Sequence, residues 1–218
     1  MNRAEVNKLK AAVAEAGRKM VEKGLVAGAA GNISVRVPGK ERILITPSQM
    51  EYERIRADDI VTLDFERNVL EGERKPSIEA GMHLGVYKAR HDVGAVVHTH
   101  SVYASAVAVV RRAIPPFLDE MVLGLGGGIE VAEYGMPGSE ELARNAVAAL
   151  GKKNVVLLAN HGPLCCGKDL ESALGNAELV ERVAKIFILS SLLGKPQNLP
   201  PQAVELEQNI FEVRDSGG

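Results

Sequence analysis

Tryptophan is absent and aromatic residues make up only 4% of the 218 residues, which argues against a stacking platform for nucleic-acid bases or sugar rings. Cysteine is almost absent too. The only two, Cys165 and Cys166, are adjacent, and neighbours in sequence rarely close a relaxed disulfide. A reducing, cytoplasmic compartment is therefore expected, with each thiol a small buried hydrophobe in a strand. Long apolar runs are missing as well: the stretches 104–110 and 186–193 fall far short of the roughly 20 residues that span a bilayer. The opening residues carry Arg3, Glu5, Lys8 and Lys10 and do not read as a secretory leader. Excess charge of either sign is also lacking, with 26 Lys+Arg against 28 Asp+Glu. The basic residues are scattered, so nucleic acid is not an expected partner.

What is present is the composition of an ordinary globular protein, 46% hydrophobic and 25% charged. The length suits one domain, 1–218, with 195–218 set off as a tail by Pro196, Pro200 and Pro201. Val6, Leu9, Val13, Ala16 and Met20 recur at three- and four-residue spacings and predict a helix over 2–23. Alternating and β-branched runs predict strands at 33–37, 42–45, 59–64, 94–99 and 154–158, the first two joined as a hairpin by Pro38-Gly39. Further helices are expected at 77–90, with Ser77 as cap and Glu79 in the first turn, and at 101–110, 139–150 and 170–193. Strands mixed with helices throughout predict an α/β layered fold.

The chemistry concentrates in histidine. His98 and His100 are two apart at the end of an expected strand, where alternate side chains leave one face and both imidazoles can reach one ion. His161 follows the apolar strand near 155–158, a natural place for a third ligand. Three imidazoles and an open position are the arrangement of catalytic rather than structural zinc. Taken alone, a His-x-His is weak evidence of a metal. Glu79 is the candidate acid or base, or a further ligand. His83 lies one helical turn beyond it on the same face and either supports the site or packs there. His91, at an expected helix end, is explained by the helix dipole.

Taken together, Gly31-Asn32-Ile33-Ser34, Ile45-Thr46-Pro47-Ser48, Lys75-Pro76-Ser77-Ile78-Glu79, His98-Thr99-His100 and His161-Gly162 resemble the ordered motifs of the class II aldolases of the fuculose-phosphate aldolase and adducin-head superfamily. The resemblance covers about residues 2–194. It implies a three-layer α/β/α sandwich around a mainly antiparallel sheet, assembled as a homotetramer with active sites between subunits. It makes His98, His100, His161 and Glu79 the surroundings of a zinc ion, although imidazoles also suit other divalent transition metals. Glu79 becomes the base that removes a carbon-bound proton from a sugar phosphate. Gly31, Asn32, Ser48 and Ser77 become the phosphate pocket, their small size and polar donors suiting an anion.

Three positions depart from the fuculose-phosphate aldolase pattern. Gln49 replaces a glycine and offers an amide to the phosphate pocket, and Ile78 replaces a serine and removes a hydroxyl. Asp119 stands where the family places a proton-donating tyrosine from a neighbouring subunit, a role that needs a carboxyl of raised pKa. These positions leave open an epimerase or a decarboxylase using the same metal site. A non-catalytic interaction domain like the adducin heads is also open, although Glu79 and the three histidines speak against it. The Gly124–Gly128 run lacks the Gly-Lys-Ser/Thr ending of a nucleotide loop and reads as a turn.

Overall fold

The structure, a computed structural model, describes residues 2–216; Met1 and the last two residues of the expected 195–218 tail lie outside the described residues. Helix α1 (Arg3–Glu22) starts at Asn2, whose side chain accepts from the Glu5 N–H while Glu5 reaches back to the Asn2 backbone, a reciprocal cap that satisfies two amides of the first turn. Strands β1 (Asn32–Arg36), β2 (Arg42–Ile45), β3 (Val61–Asp64) and β4 (Val69–Glu71) follow, then helix α2 (Ala80–Ala89) and strand β5 (Ala95–His98). Helices α3 (Val102–Val109) and α4 (Asp119–Leu125) lead to β6 (Val131–Ala132), α5 (Glu140–Leu150) and the β7–β8 hairpin (Val155–Leu158, Pro163–Gly167). The long helix α6 (Leu170–Leu193) and α7 (Pro201–Ser216) complete the described chain.

The eight strands form one sheet in the order β4-β3-β2-β1-β5-β8-β7-β6. All pairs are antiparallel except β6–β7. Successive side chains leave opposite faces of a strand, and the two faces have separate cores. Ile33, Val35, Leu44, Val97 and Leu157 pack with α1, α3, α4 and α6. Ile43, Ile45, Val96, Leu158 and Leu164 pack with α2 and α5. The expected three layers around a mainly antiparallel sheet are thus present. Cys165 and Cys166 point to opposite cores from β8, both fully buried and neither in a disulfide. Among the described residues no helix is long and apolar enough to cross a membrane.

Several local expectations are corrected. Helix α2 begins at Ala80 rather than beside Ser77, and Glu79 is its N-cap residue without a side-chain cap bond. The cause is an isolated antiparallel bridge, Pro47 with Pro76, flanked by Ser48 N–H to Lys75 C=O and Ser77 N–H to Thr46 C=O. This bridge holds the chain extended through Ser77, while the Ser77 hydroxyl accepts the Glu79 N–H at 3.2 Å. The strand expected from residue 59 starts at Val61, because Ala57–Asp59 close a 3-10 turn stapled by the Asp59 carboxylate on the Arg56 N–H. Short elements escaped the sequence reading: β4, the two-residue β6, and α4, which ends at Gly126 in the left-handed region. The tail carries α7, whose Phe211 packs over Gly126.

Two close approaches hold the histidine-bearing segments together. Gly31 has φ +76°, and a Cβ there would lie 2.5 Å from the His98 carbonyl oxygen. Gly162 lies against the Thr99 carbonyl, so that a methyl group would collide with the backbone between His98 and His100. Gly162→Ala is expected to lower unfolding stability by about 1–3 kcal/mol through overpacking, measured by denaturant titration of the purified protein.

Candidate metal centre

His98 is the last residue of β5, in register with Asn32 on β1 and Leu164 on β8. The Thr99 N–H bonds the Pro163 carbonyl at 3.1 Å, carrying the extended geometry past the strand end to His100. His161 sits in the turn between β7 and β8, closed by the Leu158 N–H on the Gly162 carbonyl at 2.8 Å. Asn160 precedes it at φ +58°, a left-handed position that asparagine tolerates, and its side chain accepts from Arg111 at 2.9 Å. The β5 end and the β7–β8 turn therefore deliver the three imidazoles to one point, as the spacing predicted.

His98 Nε2 lies 3.0 Å from His100 Nε2 and 3.2 Å from His161 Nε2. His98 Nδ1 is 2.9 Å from the Pro163 carbonyl oxygen, which can only accept, so the proton resides on Nδ1 and the Nε2 lone pair faces the other rings. Burial pushes the His98 imidazole well below its ordinary pKa, reinforced by His161 and His100. Burial and His161 lower that of His100. Such neutral rings are the form that binds metal. Nitrogens sharing one tetrahedral zinc at about 2.0–2.1 Å stand about 3.3 Å apart, close to the observed spacing. The triad, with one ligand atom from each residue, fits a divalent metal site.

Glu79 completes the surroundings. It is 5% exposed, with Oε2 at 3.4 Å from His98 Nε2 and Oε1 at 3.5 Å from His161 Nε2. Oε2 accepts from the Asn32 amide at 2.8 Å, whereas Oε1 is buried with no hydrogen-bond partner. An orphaned carboxylate oxygen is costly, and here it faces the point where the imidazoles converge. Both features fit a resident cation.

A cavity of about 260 Å³ opens beside this cluster, and Gly31, Asn32, Ser48, Gln49, Ser77 and Glu79 line it together with His100 and His161. The residues expected around a phosphate thus gather on one wall, although Asn32 commits its amide to Glu79. Gln49 is at φ +58°, the backbone region that favours glycine, which explains why a glycine belongs there in the family pattern. Ile78 is 61% exposed at the rim. Larger grooves of about 730 and 760 Å³ run along α6, but neither contains a histidine. Asp119 is not brought to the cluster within this chain: it is exposed at the start of α4, paired with Glu207 of α7. His91 is exposed beyond the end of α2.

Sequence reasoning left His83 undecided and missed Ser34, Tyr87 and the Pro163 carbonyl. His83 and Tyr87 lie one and two turns beyond Glu79 on α2, and only the tertiary fold reveals their partners on β1.

The profile of the class II aldolase and adducin N-terminal domain family matches residues 11–188. The chain is 36% identical over 196 residues to a 5-deoxy-D-ribulose 1-phosphate aldolase of Bacillus thuringiensis serovar kurstaki, covering 90% of this chain and 92% of that protein. It is 38% identical over 176 residues to a 3-oxo-tetronate 4-phosphate decarboxylase of Haemophilus influenzae, covering 78% and 82%. A solved structure of an L-fuculose 1-phosphate aldolase superimposes with TM-score 0.91 at 39% identity, covering 97% of this chain and 98% of that one. With its fold, its histidine triad and these relatives in agreement, the chain belongs to the class II aldolase and adducin N-terminal domain family, the family of the metal-dependent carbon–carbon lyases.

Proposed function

We propose that the protein is a zinc-dependent aldolase that reversibly cleaves a small ketose phosphate into dihydroxyacetone phosphate and an aldehyde. The observation that carries this reading is the unpartnered Glu79 Oε1, buried beside three convergent imidazole nitrogens and opening onto a cavity of sugar-phosphate size. His98, His100 and His161 would hold the zinc, with Glu79 beside it. When bound, the ion supplies Lewis acidity that stabilises negative charge on a substrate oxygen.

In the condensing direction, Glu79 accepts a proton from the hydroxyl-bearing carbon next to the substrate carbonyl, and the C–H electron pair spreads over that carbon and the carbonyl oxygen. The carbon then forms a bond to the aldehyde carbon, and the new alkoxide takes up a proton. Cleavage runs these steps in reverse, with Glu79 returning its proton to carbon. Gly31, Asn32, Ser48, Gln49 and Ser77 bind the phosphate end, and the cavity wall limits water.

For Asp119 we assign the proton to the alkoxide. Asp119 does not line the cavity of its own chain, so in this reading it serves a neighbouring subunit, in a homotetramer with active sites between subunits. Exposed Val102, Val109 and Val110 on and just after α3, and Leu189, Leu192 and Leu193 on α6, support self-association, since such apolar surface favours burial. The two buried cysteines, neither in a disulfide, suit a cytoplasmic location. A decarboxylase is the second reading, supported by the Haemophilus influenzae relative: loss of carbon dioxide leaves an electron pair on carbon that the same site accommodates. No observation singles out an epimerase, and the orphaned carboxylate oxygen beside the triad speaks against a purely interaction-based role.

Four outcomes are expected. Purified protein should contain one divalent ion per chain by elemental analysis, lost in His98→Ala; absence of bound metal and of zinc affinity overturns the enzyme reading. Glu79→Gln should retain metal yet lower deuterium exchange into dihydroxyacetone phosphate about a hundred- to ten-thousand-fold. Among candidate substrates, phosphorylated ketoses should release aldehyde faster than unphosphorylated ones, whereas carbon dioxide release from a phosphorylated keto acid selects the decarboxylase. Sedimentation should give a tetramer, and Asp119→Asn should keep both the tetramer and proton exchange while slowing carbon–carbon cleavage.

A further inference from the structure

The two oxygens of Glu79 are held differently, and the difference traces to a line of polar side chains buried between β1 and α2. Asn32 and Ser34 are two apart on β1 and point to the α2 face of the sheet, while Ile33 and Val35 point to the other core. Glu79, His83 and Tyr87 follow at four-residue spacing along α2 and share one face. The two rows interlock. Tyr87 Oη donates to the Ser34 carbonyl at 2.9 Å and lies 2.9 Å from Ser34 Oγ. Ser34 Oγ is 2.6 Å from His83 Nδ1, His83 Nε2 is 2.5 Å from Asn32 Oδ1, and Asn32 Nδ2 is 2.8 Å from Glu79 Oε2.

Only one arrangement of protons suits the links from Ser34 to Glu79 when Glu79 is ionised. A carboxylate only accepts, so Asn32 must turn its amide N–H toward Glu79 and its oxygen toward His83. That oxygen accepts in turn, so the His83 proton must be on Nε2, leaving Nδ1 to accept from the Ser34 hydroxyl. Tyr87, already a donor to the Ser34 backbone, does not compete for Nδ1. Burial pushes the His83 pKa down to about 3, so the ring is neutral with a single N–H, and burial keeps the Tyr87 phenol protonated. Turning Asn32 over would bring two acceptors together at Glu79 Oε2.

We infer that His83 is a positioning residue: by fixing the orientation of the Asn32 amide it anchors Glu79 through Oε2 and leaves Oε1 as the oxygen that receives the substrate proton. Ser34 and Tyr87 hold the His83 tautomer. This assignment rests on Glu79 being the base, but the hydrogen-bond order can be read without turnover. It also gives Asn32, one of the residues lining the cavity, a second duty toward the carboxylate.

The test combines a spectroscopic and a kinetic measurement on the full chain. Ring ¹⁵N shifts of the zinc-loaded and metal-free protein, with His83 assigned by its loss in His83→Gln, should show the Nε2–H neutral tautomer; an Nδ1–H tautomer or a charged ring overturns the inference even if the protein proves not to be an aldolase. On dihydroxyacetone phosphate, His83→Leu should lower the maximal proton-exchange rate about 10–100-fold, the usual cost of losing an orienting partner, with KM and zinc stoichiometry unchanged. His83→Gln, whose amide retains a donor toward Asn32, should recover most of that loss. Should His83→Leu not fold, Ser34→Ala, which removes only the donor to Nδ1, should show the same selective loss of rate. Wild-type exchange in the soluble zinc-loaded variants, or equal losses in His83→Leu and His83→Gln, overturns the positioning role. No exchange in the wild-type protein, with the Nε2–H tautomer present, would instead count against Glu79 as the base and leave the hydrogen-bond order standing.

Discussion

The Nε2 atoms of His100 and His161 stand 3.0 and 3.2 Å from that of His98, close to the spacing of nitrogens that share one cation. The fold has to impose that proximity. The carbonyl of Pro163 fixes the proton of His98 on the far side of the ring, and burial suppresses the alternative of protonating the cluster. What remains is a site where a divalent ion satisfies the convergent imidazoles and one orphaned carboxylate oxygen together.

The backbone around the site follows from this requirement. β1, β5 and β8 are adjacent in the middle of the sheet, so the His98 register is held from both sides. Gly31 and Gly162 permit contacts with the carbonyls of His98 and Thr99 that a Cβ would block. The bridge between Pro47 and Pro76 then brings the Ser48 and Ser77 segments to the same rim and delays the start of α2. That delay puts Glu79 at the helix entrance with its carboxylate free to turn inward rather than cap the helix.

Buried polarity is otherwise sparse in the α2-facing core, and the Tyr87–Ser34–His83–Asn32 line is where it is concentrated. Such a line is tolerable only when each donor meets an acceptor, and from Ser34 to Glu79 the matched line has a single order. A core of this kind gives a catalytic carboxylate a defined orientation. An apolar core would hold the helix as firmly but leave the carboxylate rotation unspecified.

Much of the architecture was legible in local pattern. The amphipathic spacing of α1, the β-branched runs of β2 and β7, and the long α6 matched the structure because periodicity and caps act over a few residues. The short β6 and α4 carry too few residues for a period, and β6 exists because it pairs with β7. The His-Thr-His spacing was likewise local, so the metal ligands were readable, with separated motifs adding His161. Chain chemistry alone therefore determined the layered α/β class and the presence of three imidazoles and a carboxylate. Only the tertiary structure decided which Glu79 oxygen is held, that Asn32 serves Glu79 as well as the cavity, and that Asp119 lies away from the triad of its own chain. Those facts depend on contacts between residues about 50 or more apart in sequence, where register and packing, rather than local preference, set the geometry.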